Sequence, residues 1–172
     1  MKNTLVSTCI ALRKLFSCVV IFLASVGLLI AAPGVAQAQT GEPTPKLAGD
    51  LVFFEGNDCT QNIVFSYDSS KPANDNCQQG GECNGDNDEA RSLKILGLAQ
   101  SGTLIGVFDD PNGGTQDDFS YILTQGAPLG PDVCVGTFEK STTTPRYLIT
   151  HQHNNGLDGK ISHVTIIPNY GR

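Results

Sequence analysis

Asn87-Asp88-Glu89-Ala90-Arg91-Ser92-Leu93-Lys94-Ile95 and Asp158-Gly159-Lys160-Ile161-Ser162-His163-Val164-Thr165-Ile166 align at an offset of 71 residues. Each copy starts with polar turn formers and runs into a strand with alternating apolar residues. A second pair of segments precedes them in the same order. Phe53-Phe54-Glu55-Gly56-Asn57-Asp58 opens the first half, and Val107-Phe108-Asp109-Asp110-Pro111-Asn112 opens the second. Repetition of this kind predicts two similar supersecondary units packed together.

The surrounding sequence agrees. Short apolar runs at Leu51–Glu55, Ile63–Tyr67, Ser92–Leu98, Thr103–Asp109, Phe119–Thr124, Val133–Phe138, Arg146–Gln152 and Ser162–Ile167 are separated by turn residues. No segment carries a helical apolar stripe over about 11 residues. The pattern predicts an all-β sandwich or barrel of about eight strands over residues 50–168. Three of these strands fall before residue 99 and five after it. The strand-poor segment 68–91 therefore has to supply the missing element of the first unit, pinned by a disulfide or an ion. Alternation predicts burial of Val52, Phe54, Ile63, Phe65, Leu93, Ile95, Ile105, Val107, Ile122, Val133, Val135, Leu148, Val164 and Ile166.

Residues 1–38 have the form of a secretory signal peptide. Lys2, Arg13 and Lys14 precede an apolar run from Val19 to Ala32, and Ala36-Gln37-Ala38 offers small residues at a cleavage site. That run is shorter than the roughly 20 residues a spanning helix needs. Residues 39–49 form a polar, proline-bearing flexible leader. The expected product is a secreted, extracellular or periplasmic protein, not membrane-embedded after cleavage. Losing three basic residues and no acidic one leaves 8 basic against 17 acidic, a net of −9. Such a surface disfavours nucleic acid and suits cations. Cys9 and Cys18 leave with the signal, while Cys59, Cys77, Cys83 and Cys134 remain. An even number in an exported chain predicts two disulfides with three possible pairings. The short, flexible Gln78–Glu82 favours Cys77–Cys83, which leaves Cys59 with Cys134.

On the repeated segments the chain resembles the βγ-crystallin family. That family builds a domain from two four-stranded Greek keys. Each key opens with an aromatic–acidic hairpin, similar to FFEGND and FDDPNGG here, and ends in N/D-N/D-x-x-S/T-S entering the last strand. The resemblance implies a disulfide-stabilised Greek-key sandwich and a non-enzymatic structural or binding role. It also implies calcium as a stabilising ligand, and a protein or glycan as a possible partner. Microbial relatives of this kind include protease inhibitors and killer toxins, and the Cys77–Cys83 loop suits that alternative.

The family motif supplies a carbonyl at its third position and a side-chain oxygen at its fifth. The resemblance thus implies one calcium site at Lys160 and Ser162, with Glu55 adding oxygen. In the other copy Arg91 stands where an oxygen is expected, so Asp88, Glu89 and Asp109 would attract calcium there only weakly. Gly159 and His163 also depart from the motif.

Acidic turns are common without any ion. An EF-hand loop fails here, because Glu89 falls where Gly is needed and Ile95 where the bidentate Glu belongs. His151 and His153 share a strand face and, with His163, offer three nitrogens to a metal, but no carboxylate motif accompanies them and decoration of an exposed strand face explains them better. There is no nucleophile elbow or phosphate loop, so no enzyme is expected.

Overall fold

The computed structural model describes residues 49–126 and 130–172. The expected signal segment, the leader up to residue 48, Cys9 and Cys18 lie outside the described residues. Ten strands form: β1 (Leu51–Gly56), β2 (Thr60–Tyr67), β3 (Ala73–Asn76), β4 (Ser92–Ile95), β5 (Leu104–Phe108), β6 (Phe119–Thr124), β7 (Val133–Val135), β8 (Thr142–Thr143), β9 (Tyr147–Gln152) and β10 (His163–Ile167). A 3₁₀ turn at Asn57–Cys59 joins β1 to β2. Among the described residues there is no α-helix, and no helix long and apolar enough to cross a membrane.

All pairings are antiparallel, in two sheets ordered β2-β1-β4-β7 and β3-β10-β5-β6-β9-β8. The halves are interlocked. β3 leaves the sheet of β1, β2 and β4 to pair with β10, and β7 leaves the sheet of β5, β6 and β10 to pair with β4. One buried cluster draws Leu51, Phe53 and Leu93 from the first sheet and Ile105, Ile122 and Ile149 from the second, so the sheets pack face to face. Phe53 sits at its centre, 4.7 Å from Phe65 between ring centroids and 6.1 Å from Phe138.

Ten strands replace the expected eight. β3 (ANDN) and β8 (TT) have no apolar run to betray them. They are added through backbone pairing at the edges of a sheet. β3 supplies the missing element within 68–91.

Two strands also differ from the expected facing. In β9, Tyr147 and Ile149 are core residues while Leu148 is half-buried. In β1, Leu51 and Phe53 join the main cluster, whereas Val52 and Phe54 are buried on the other face, with the Lys94 ammonium 5.4 Å above the Phe54 ring. Ile63 and Val133 are half-buried, and the other predicted core residues are buried.

The disulfides are Cys59–Cys134, 75 residues apart, and Cys77–Cys83, six apart. Loop-closure entropy assigns the longer bridge about 4.5 kcal/mol and the shorter about 2 kcal/mol in the chain-entropy model. Segment 68–91 is held by more than its bridge. Asp75 accepts hydrogen bonds from the Tyr67 hydroxyl and the Glu82 N–H (2.9 Å each), and the Cys77 N–H donates to the Ser162 carbonyl (3.0 Å).

Candidate metal centre

The two sequence copies occupy equivalent places. The Arg91 N–H donates to the Phe54 carbonyl and the Ser162 N–H to the Phe108 carbonyl, each at 2.8 Å. Three residues before each, Asp88 (φ 64) and Gly159 (φ 67) share the left-handed backbone, which Gly enters freely and Asp tolerates. Each turn is thus fastened to the end of the hairpin strand of its own half. That fastening decides which side chains meet.

Around Ser162 the groups are oxygens. Its hydroxyl donates to Asp88 Oδ1 (3.1 Å) and lies 3.5 Å from the Lys160 carbonyl, while the Lys160 ammonium is bonded to Asn155. Asp109 follows Phe108, whose carbonyl bonds the Ser162 N–H, and feels the charges of Asp88 and Lys160. Burial first, and then the carboxylates of Asp117, Asp88 and Asp118, push its carboxyl up, against the opposing pull of Lys160. Asp109, Asp117 and Asp118 each offer an oxygen within 4.8 Å of the others. In the adjoining turn Asn87 Oδ1 is buried and has no hydrogen-bond partner among the described residues. The donor set is hard and anionic, as calcium requires.

Around Arg91 a fixed cation is already in place. Its Nη1 donates to the Glu55 carbonyl (2.8 Å) and the Glu89 carbonyl (3.4 Å), and its Nε lies 3.4 Å from Asp158 Oδ1. A Cβ on Gly159 would fall 2.5 Å from the guanidinium, so glycine there leaves room for the arginine.

The structure therefore regroups the expected ligands. Asp88 and Asp109 stand with Lys160 and Ser162, whereas Glu55 and Glu89 stand with Arg91, the Glu55 carboxylate accepting from Asn62 (3.0 Å). Asp117 and Asp118 were not singled out by sequence, and Asp158, the first residue of the second copy, was given no ligand role. The Asp-rich turn before β6 was the only signal for the first two.

The histidines separate. His151 and His153 pack with ring centroids 5.8 Å apart, beside Asp118. His163 is buried elsewhere, with Nδ1 3.0 Å from the Pro111 carbonyl and Nε2 2.9 Å from Asn74 Oδ1. Asp118 is fully buried and accepts from the N–H groups of Asn154 (2.7 Å), Asn155 (2.7 Å) and Gly156 (3.1 Å).

A cleft of about 390 Å³ between β2 and β3 is lined by Tyr67, Asp68, Asp75 and Glu82. Two of its acidic groups are engaged in structure. Hydrogen bonds from Ser70 and Lys71 hold Asp68 down at about 2, and Asp75 Oδ2 accepts from the Tyr67 hydroxyl and the Glu82 N–H. Every cysteine among the described residues is in a disulfide. Comparison with family models, curated proteins and solved structures finds no match.

Proposed function

We propose that this chain is an exported, non-enzymatic Greek-key module of the βγ-crystallin kind, stabilised by one calcium ion bound at the Ser162 group. The observation that carries this is the unequal filling of two equivalent turns. One holds the Arg91 guanidinium among three oxygens. The other gathers Asp88, Asp109, the Ser162 hydroxyl and the Lys160 carbonyl, with no fixed cation but Lys160 nearby. The exchange of β3 and β7 between sheets supports the Greek-key reading.

Asp88, Asp109, Ser162 and the Lys160 carbonyl would hold the ion, which would neutralise charge that the fold brings together. An ion bound only by the folded form adds about 2.7 kcal/mol at 100-fold excess over its dissociation constant. The inhibitor alternative has less support. The Cys77–Cys83 loop turns back on itself, Gln79 and Gly80 both donating to the Asn76 carbonyl, and so does not present the extended backbone used in strand addition.

Titration calorimetry with calcium should find one equivalent, and Ser162→Ala should remove most of the calcium-induced rise in melting temperature. Two equal sites, or none, would refute the proposal.

A further inference from the structure

Ser120 decides the tautomer of His151. The Ser120 hydroxyl has one hydrogen, and it donates it to the Phe138 carbonyl. Toward His151 Nδ1, 3.0 Å away, it acts only as an acceptor. Nδ1 therefore carries the proton, and in the neutral ring Nε2 keeps a bare lone pair. That Nε2 is buried and has no hydrogen-bond partner among the described residues. Buried acceptors are rarely left so.

Two further donors stand beside this ring. One nitrogen each from His151 and His153 and one Asp118 oxygen lie within 4.8 Å of one another, and His153 Nδ1 is 3.6 Å from Asp118 Oδ1. Of the three backbone N–H groups on Asp118, only that of Asn154 reaches Oδ1, which leaves a lone pair there. The His153 side chain is 68% exposed and free to close in.

We infer that His151, His153 and Asp118 form a transition-metal site, selective for zinc-like ions over calcium. Ligand bonds of about 2.0–2.2 Å place the donor atoms of a tetrahedral zinc roughly 3.4 Å apart, so movement of at most about 1.4 Å, chiefly by His153, closes the site. Imidazole nitrogen suits zinc, nickel and copper, whereas calcium takes oxygen. The chain His151 Nδ1–H to Ser120 to the Phe138 carbonyl is the outer-shell support that metal-bound histidines need. A fourth position stays open to water. This site is separate in chemistry from the Ser162 group, although Asp118 borders both.

The test is zinc titration of the disulfide-bonded protein with calcium present. One equivalent of zinc should bind, and the His151 and His153 imidazole resonances should shift together in the unmodified protein. His153→Ala should weaken binding by at least about tenfold, the lower end of what losing even an outer-shell partner costs. Ser162→Ala should leave zinc affinity unchanged, so failure of the calcium site does not imitate failure here. No zinc uptake, unshifted imidazoles, or equal affinity in His153→Ala would overturn the inference.

Discussion

Arg91 and Ser162 hold the same place in the two halves and settle it in opposite ways. The guanidinium has only donors and a permanent charge, so the carbonyls of Glu55 and Glu89 and the carboxylate of Asp158 bond it rather than an ion. This asymmetry was legible, because the offset of 71 sets Arg91 against Ser162. The partners were not. Whether Glu55 or Asp109 faces Ser162 depends on which hairpin strand each turn is fastened to, and a single sequence does not display that. Arg91→Ser should have two effects. Without calcium it removes part-exposed, charge-assisted bonds and should cost about 1–2 kcal/mol in chemical denaturation, toward the low end of such bonds. With calcium it should add a second binding equivalent by calorimetry. Unchanged stability and a single equivalent would mean that Arg91 does not stand in for an ion.

At the level of the strand, alternation shows the period more reliably than the phase. Tyr147, Leu148 and Ile149 are three apolar residues in a row, so β9 fits either facing. Pairing resolves it: Ile149 stands opposite Ile122 over the core, and Leu148 opposite Leu123 on the outer face. β3 and β8 were invisible for a different reason. Apart from Ala73, which packs against the core, their contribution is hydrogen bonding along an edge, which leaves no apolar run in the sequence. The facing has a measurable consequence. Ile149→Ala should cost about 2–5 kcal/mol through transfer and cavity terms, and Leu148→Ala less than about 1 kcal/mol. Equal losses in urea denaturation would reverse the assignment.

Across the whole molecule, each half lends a strand to the other's sheet, and Cys59–Cys134 ties the 3₁₀ turn before β2 to β7. The charge gathered where the halves meet should therefore act on unfolding as a whole. Two carboxyl groups there respond to acid in opposite directions. Burial, and then Asp117, Asp88 and Asp118, hold Asp109 above the ordinary carboxylate range. Its ionisation costs stability, and the folded form binds the proton more readily than the unfolded, so stability falls as pH rises through that raised range. For Asp118 burial is the largest influence and opposes ionisation. The N–H groups of Asn155, Asn154 and Gly156, with His153, outweigh it and hold the carboxyl below its ordinary value. Its contribution is present above the unfolded value, about 3.9, and is lost as pH falls through the folded one. In a chelator the melting temperature should thus climb as pH drops from neutral toward Asp109's titration, and then decline in stronger acid. With calcium bound, Asp109 is held ionised and acid can only displace the ion, so the climb should vanish. General relief of the net negative charge also favours acid, and Asp109→Asn separates the two causes. It should raise the ion-free melting temperature at neutral pH, flatten the climb and abolish the calcium response. A climb that persists undiminished in Asp109→Asn would assign the effect to the surface charge as a whole.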